Sequence, residues 1–217
     1  MSYPVKKSLL WISFLFVAFV LVAAIRFGIA EMFSLSANQT MQDWKLAPQP
    51  PSVNEIESVA SQLDAARFLA GNNPVHHENI ARLDLIRADL PDVNPGEKKS
   101  YLRLGLSEIH TAITLRPVSP YSWTILLLIK RDLGEFDAEF IHALHRAVEL
   151  GPWEPELLTS LADVGLSAWT AMPAAEQALI QQVFVRGIER QGSSMKEIAE
   201  VHLNECADNN NRMTGCQ

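Results

Sequence analysis

AITLRPVSPYSWTILLLIKRDLGEFDAEFIHALHRAVELGP, residues 112–152, is the stretch that decides the fold. Two predicted helices in it end in the same way, with an alanine followed five positions later by a proline: Ala112…Pro117 and Ala147…Pro152. The small side chain lets two helices approach closely, and the proline ends one helix so that the next can begin. The stretch is therefore predicted to be a helix–turn–helix unit.

A helix start and a helix stop lie between these two endings. Ser119-Pro120 is a cap followed by proline at the first helical position, and Gly134 suits the left-handed conformation that closes a helix. The largely apolar run at 123–129 has the length of a buried strand or of part of a buried helix. The proline before it and the polar residues from Lys130 onwards favour the helix.

Helical spacing continues through most of the remaining chain. From residue 52 to residue 203, apolar side chains recur three and four positions apart, and capping patterns at Ser52-x-x-Glu55 and Ser194-x-x-Glu197 predict further helix starts. We find no stretch with the alternation of a half-buried strand. The predicted fold class is therefore all-α.

The helices also repeat along the chain. Three of them begin with an apolar residue followed three positions later by leucine: Ile80/Leu83, Trp123/Leu126 and Leu158/Leu161. The last two of these pairs, and the two alanine–proline endings, are 35 residues apart. Helix–turn–helix units with a period near 34 are typical of tetratricopeptide repeats. Residues 77–192 thus resemble a short tetratricopeptide array, with Leu127 where the family has a tight glycine.

An apolar segment near the N-terminus predicts a membrane anchor. Leu9 to Ile25 has one polar residue in 17, and residues 27–30 extend it to about the 20 residues that span a bilayer. A signal peptide cleaved after Gly28-Ile29-Ala30 is the alternative, although its apolar core is usually shorter. Lys6 and Lys7 precede the segment, which predicts a cytoplasmic N-terminus and, in a Gram-negative bacterium, a periplasmic domain.

Composition divides the chain into four predicted regions: a cytoplasmic tip and anchor at 1–32, a proline-containing linker at 33–52, a helical domain at 53–206 and a polar tail at 207–217. Beyond residue 30 the chain has 15 basic and 25 acidic residues, a net charge of −10. Binding to nucleic-acid phosphates needs a basic face, so this balance argues against a nucleic-acid partner.

Two cysteines, Cys206 and Cys216, lie close together near the C-terminus. In an oxidising compartment they are expected to pair, and two free thiols are the alternative. His202 lies one helical turn before Cys206, but a chain end holds a nucleophile–base geometry poorly. These residues therefore predict a disulfide rather than a catalytic pair.

Other polar clusters have simpler explanations than catalysis. His142, His145 and Glu149 share a helical face, as a solvated surface would, and a zinc site needs about four ligands. The same objection applies to His76-His77-Glu78. The acidic group at 135–139 complements a helix N-terminus, and no phosphate-binding loop or nucleophile elbow appears. We predict no enzyme activity, no metal and no cofactor.

Binding candidates are an aromatic side chain and a set of cations. Trp153 lies between Pro152 and Pro155, where it either packs between repeat units or is exposed to a sugar or a protein partner. Four basic residues could line a concave face for an acidic ligand, although scattered charges are usually only solvated: Arg103, Arg116, Lys130 and Arg131.

The order of parts resembles a narrower family. An N-terminal span, a short linker and a repeat domain containing SPYSW and LGPWEP, residues 150–155, are similar to the VpsP-type accessory proteins of exopolysaccharide biosynthesis. The resemblance implies a periplasmic scaffold that binds proteins of a polysaccharide synthesis or export system. Alternatives are a module that binds polysaccharide directly and an envelope assembly factor or chaperone unrelated to polysaccharide.

Overall fold

The computed structural model describes residues 3–210, with side chains described for residues 11–200. That part of the chain consists of helices and connecting segments and has no strand, which confirms the all-α prediction. The helices are α1 (Tyr3–Leu46), α2 (Val53–Leu69), α3 (Pro74–Ala88), α4 (Pro95–Leu115), α5 (Pro120–Leu133), α6 (Ala138–Leu150), α7 (Pro155–Ser167) and α8 (Ala174–Asn210), with a 3-10 turn at Trp169–Ala171.

The chain forms two compact units, one ending at Leu83 and the other beginning at Asp84. The boundary falls inside α3, within the stretch 53–206 that we predicted as one helical domain. The first unit therefore combines the N-terminal helix with α2 and most of α3. The second contains α4 to α8.

In the first unit, α1 continues beyond its apolar stretch at residues 9–30, and it packs against α2. Its contact side is made of small or slender residues at positions i, i+4, i+7 and i+11: Ala30, Ser34, Ala37 and Met41. The predicted linker at 33–52 is wrong over most of its length, because α1 continues to Leu46. The helix was not predicted there because alanine and serine at helical spacing give only a weak apolar pattern. The segment that connects α1 and α2 is limited to residues 47–52.

The start of α2 is capped as the sequence predicts. The Ser52 side chain accepts the backbone N–H of Glu55, and the Glu55 carboxylate accepts the backbone N–H of Ser52 at 2.8 Å. This reciprocal pairing satisfies two donors that a helix N-terminus otherwise leaves unpaired. The inward side of α2 is apolar and fully covered: Ile56, Val59, Leu63 and Ala66.

The apolar part of α1 is exposed rather than packed. Its described side chains from Trp11 to Val22 include large apolar groups that are about half to three-quarters exposed. The helix is long and apolar enough to cross a membrane. This finding agrees with the predicted anchor at the level of length and composition.

In the second unit, α5 with α6 and α7 with α8 form two helix pairs, and α5 also packs against α4 and α7. Trp123 lies in this core, where its indole N–H donates to the Pro117 carbonyl at 2.9 Å and its ring meets the edge of His142. Gly151 is required at the exit of α6, because a Cβ there would lie 2.5 Å from Leu157 Cδ1 and 3.0 Å from the Pro120 ring.

Two predicted helix ends can be compared with the structure. Gly134 closes α5 with φ of 71°, in the left-handed conformation predicted for it. The helix start predicted at Ser194 lies close to a break in α8, because Gln191 has non-helical φ and ψ and a second helical segment begins there, three residues before the predicted cap. Met195 after this kink packs against Gly187 before it, where a Cβ would overlap the methionine side chain.

Candidate functional site

The end of α5 and the start of α6 surround a buried lysine. Lys130 is only 2% exposed, and its ammonium donates to Asp137 Oδ2 at 2.9 Å and to Glu139 Oε2 at 2.7 Å. Asp137 is also the N-cap of α6, where it accepts the backbone N–H groups of Glu139 and Phe140. The prediction that Lys130 lines an open binding face is therefore wrong. Its charge joins two helices of the core.

The charges of this cluster shift one another's proton affinity. Burial by itself would lower the pKa of Lys130, but the hydrogen bonds to Glu139 and Asp137 outweigh burial and raise that pKa. The hydrogen bond from Lys130 is the main reason that the pKa of Asp137 is lowered. Burial acts to raise the pKa of Glu139, and Lys130 again outweighs it, so that this pKa is lowered. All three groups are charged at neutral pH.

We expect the cluster to make stability depend on pH at both ends of the scale. The pKa values of Asp137 and Glu139 in the folded protein lie below their ordinary values of 3.8 and 4.5. The two carboxylates therefore contribute fully to the free energy of unfolding above those ordinary values, and this contribution is lost as pH falls through the lowered values. The pKa of Lys130 is shifted in the opposite direction, above its ordinary 10.5. Lys130 therefore contributes fully to the free energy of unfolding below pH 10.5, and this contribution is lost as pH rises through the raised pKa. Urea unfolding across pH measures both limbs.

Lys130→Met supplies the control for this pH dependence. Without the ammonium, the main cause that lowers the pKa values of Asp137 and Glu139 is removed, so the acid limb of the stability curve should flatten. A Lys130→Met curve with the same acid limb as the unmodified protein would contradict the assignment.

The other predicted cations also have partners inside the second unit. Arg103 pairs with Glu135, and Arg131 pairs with Asp132 and Asp163. These contacts connect α4, α5 and α7 through their side chains. Arg116 donates to the Ser119 hydroxyl at 3.4 Å. Lys130 Nζ also lies 3.9 Å from Glu135, the partner of Arg103, so these two cations share an acidic neighbour. The predicted cations are therefore used in contacts within the second unit rather than gathered on one free basic face.

The predicted histidine clusters are divided among different neighbours. His142 meets Trp123, whereas His145 lies 3.3 Å from Glu176 and Glu149 accepts Arg146. In the first unit, His77 Nε2 lies 2.9 Å from the Gly71 carbonyl. His76 is fully buried without a hydrogen-bond partner, and burial lowers the pKa of His76. Among the described residues, no three His, Cys, Asp or Glu side chains are grouped to hold a metal.

Trp153 is the predicted candidate that the structure leaves at the surface. It is 50% exposed in the short turn between α6 and α7. Two arginines of α8 lie over its ring, with Arg186 Cζ 5.4 Å and Arg190 Cζ 5.7 Å from the ring centroid. Both distances are within the range of cation–π attraction. We call these three residues the tryptophan–arginine surface.

Sequence reasoning missed both arginines of this surface. Arg186 and Arg190 are four apart and therefore share a side of α8, which the sequence does show. Which side of α8 faces the turn at Trp153 depends on the packing of α7 against α8. Val185 and Ile188 of the same helix are also exposed, but at about 100° per residue they lie on the side of α8 that faces away from the two arginines.

The surface offers a half-exposed indole ring and two cations. Guanidinium groups can form two parallel hydrogen bonds to a carboxylate, while the indole adds contact area at low entropic cost. This combination suits a ligand that carries an acidic group beside an apolar or planar one.

The predicted disulfide lies outside the described residues. Cys216 belongs to the undescribed C-terminal segment, and the side chain of Cys206 is likewise not described. Pairing of the two cysteines stays a prediction.

No family model, no curated protein and no solved structure matches this chain. The likeness to VpsP-type proteins therefore stays an interpretation of the order of parts and of the repeat block with LGPWEP, residues 150–155, and the function must be argued from the molecule itself.

Proposed function

We propose that this protein is a membrane-tethered helical scaffold that binds a protein partner through the tryptophan–arginine surface. The observation that carries the proposal is the half-exposed Trp153 with Arg186 and Arg190 over its ring. Tryptophan and arginine are the residues most enriched among the energetic centres of protein interfaces.

The helix arrangement supports a scaffold. Two helix pairs, α5 with α6 and α7 with α8, follow one another, and α5 also packs against α7. Successive pairs of this kind are how tetratricopeptide-like arrays present an extended binding face. We propose that the second unit is a short array of this type.

The first unit supports tethering. If α1 crosses a membrane, the second unit is held at a high local concentration near any membrane-bound partner, so that modest affinity is enough for assembly. Lys6 and Lys7 before the apolar stretch favour a cytoplasmic N-terminus. The folded units would then lie on the opposite side, which is the periplasm in a Gram-negative bacterium.

The setting that we propose is exopolysaccharide synthesis or export. It rests on the likeness of the repeat block and of LGPWEP, residues 150–155, to VpsP-type proteins. Gly151 in this motif is needed for packing, whereas Trp153 is exposed and is free to serve a partner. The motif therefore combines a structural requirement with a candidate contact.

Direct binding of polysaccharide is the second candidate function. An exposed tryptophan can stack on a sugar, and the arginines would suit acidic sugars. The two guanidinium groups, however, already lie over the indole and leave less of its face for stacking. A protein partner fits this geometry better, since it can contact the ring edge and both cations together.

A crosslinking experiment tests the partner. A photoreactive residue at the exposed Gln182, one helical turn before Arg186 on the same side of α8, should capture a protein of the polysaccharide machinery in membranes, whereas one at the exposed Ser107 of α4 should not. Trp153→Ala should weaken binding of the purified partner by about 30-fold, the loss typical of an interface centre, and Trp153→Phe by much less.

Unfolding curves provide the control, because Trp153 is half exposed and its removal should leave the core intact. Equal affinity of the Trp153→Ala variant and the unmodified protein would contradict the proposed surface. Capture of cytoplasmic proteins alone would contradict the topology. Binding of purified exopolysaccharide that is lost in Trp153→Ala would favour the second candidate, and capture of unrelated envelope proteins would favour a general assembly factor.

A further inference from the structure

The C-terminal end of α2 lies beside the apolar part of α1. A cavity of about 320 Å³ separates the two, lined on one side by Phe19, Val22 and Phe27 and on the other by residues 68–72. Arg26 crosses this gap and donates to the Leu69 carbonyl at 3.3 Å. The corner between α2 and α3 therefore reaches the level of residues 19–27 of the helix proposed to cross the membrane.

The depth of that level follows from helix geometry. At about 1.5 Å per residue, Phe19 lies about 16 Å along α1 from Ala30, where the apolar stretch ends. Half the thickness of the hydrocarbon layer is about 15 Å. Residues 19–27 would thus occupy the half of the bilayer nearer the folded units, and the corner at 68–72 lies beside them.

One exposed side of α2 changes polarity at this point. Positions 57, 61, 64 and 68 follow one another at helical spacing and are all exposed. The first three are Glu57, Ser61 and Asp64, and the fourth is Phe68, which is 83% exposed. A phenylalanine so exposed is costly in water, whereas in a lipid layer it would be surrounded by acyl chains.

Three carbonyls of the corner have partners within the first unit, and that of Ala70 accepts the backbone N–H of Asn73 at 3.1 Å. The Leu69 carbonyl accepts Arg26, and the Gly71 carbonyl lies 2.9 Å from His77 Nε2. The Asn73 amide donates to Glu31 at 2.5 Å, and its Oδ1 accepts the backbone N–H of Val75 at 3.0 Å. Backbone groups that enter a bilayer must be paired inside the protein.

Arg26 has a partner suited to such a place. A cation inside an apolar layer needs an acceptor, and the C-terminal end of a helix carries partial negative charge. The carbonyl of Leu69, the last residue of α2, supplies both. Arg26 therefore holds the corner against α1.

From these observations we propose that the α2–α3 corner, residues 68–72, is inserted into the bilayer and that Phe68 contacts lipid acyl chains. The corner is a second membrane attachment that continues the apolar surface of Phe19, Val22 and Phe27. The inference rests on membrane crossing by α1, which is part of the function proposed above.

Depth-dependent quenching tests the insertion in the full chain. Cys206 and Cys216 are first replaced by serine. One cysteine is then introduced at Phe68, at Ser61 or at Glu57. Position 57 lies on the same side of α2 as position 68, about 16 Å from it along the helix. Each variant is labelled with an environment-sensitive fluorophore and reconstituted in vesicles of phosphatidylethanolamine and phosphatidylglycerol that contain lipids with a nitroxide on the acyl chain.

Label at position 68 should emit at shorter wavelength and be quenched several-fold more than label at 57, with position 61 between them. If the protein floats with the vesicles but the labels at 68 and 57 show the same water-like emission and the same quenching, the insertion is overturned. Anchoring by α1 would be unaffected by that result. Failure of all variants to float with the vesicles would overturn the anchoring itself. Phe68 is outside the core, so its substitution should not prevent folding.

Discussion

Replacement of Lys130 by alanine should lower the free energy of unfolding by about 3 kcal/mol, the cost typical of emptying a core position of this size. The side chain of Lys130 is among the largest that the core covers completely. Alanine would leave a cavity where the aliphatic stem packs, and it would remove the ammonium that Asp137 and Glu139 share. Urea unfolding of the full chain in detergent, followed by circular dichroism, measures the loss.

The variant Lys130→Met separates the two causes. Methionine keeps most of the buried volume and removes only the charge, and replacement of a buried ion pair by an apolar group is often close to neutral. Asp137 and Glu139 are each about half exposed, so water can solvate them once the ammonium is gone. We therefore expect Lys130→Met to lose less than half of what Lys130→Ala loses. Stability of Lys130→Ala within about 0.5 kcal/mol of the unmodified protein would show that the site is not part of the core.

Replacement of Gly165 by valine should be comparably destabilising, at about 3 kcal/mol, the upper part of the range for overpacking. Gly165 lies in α7 where this helix meets α8 most closely. A Cβ at this position would lie 2.5 Å from Ile180 Cγ2 and 2.7 Å from Ile180 Cδ1. Ile180 is fully buried and branched at Cβ, so it has little freedom to move aside. Thermal unfolding of the full chain in detergent gives the loss.

Two further variants make this prediction specific. Gly192→Val adds the same side chain where a Cβ would meet nothing within 4 Å, and it should change stability by no more than about 0.5 kcal/mol. Ile180→Ala in the Gly165→Val background should recover part of the loss, because residues in contact are not additive. If Gly165→Val and Gly192→Val unfold alike, or if the double variant is as unstable as the sum of its parts, α7 and α8 are not in close contact at this point.

The helix limits were accessible from sequence because local chemistry determines them. Ser52 with Glu55, Ser119 before Pro120, and Gly134 at a left-handed turn each act within a few residues of chain. The helical structure of residues 33–46 could not be predicted in this way. Ala37 and Ser34 form a helix contact there, and small side chains leave almost no trace in an apolar pattern.

The candidate site was accessible only in part. Trp153 between two prolines is conspicuous in the sequence, and the structure leaves it exposed. Its neighbours Arg186 and Arg190 are more than thirty residues away and join it only because α7 packs against α8. Lys130 shows the opposite effect. As a lysine it suggested a solvated face, but the turn at residues 134–137 brings Asp137 onto its ammonium and allows burial.

By itself, the sequence determined the all-α class, the apolar membrane-length helix and the places where most helices begin and end. These follow from spacing, capping and proline, which act over a few residues. The tertiary structure alone decided which charges are buried and which surface is open, because burial depends on the side of each helix that its neighbour covers. It also placed Phe68 beside the apolar segment of α1 and the two arginines beside Trp153, since such contacts join residues that are distant along the chain.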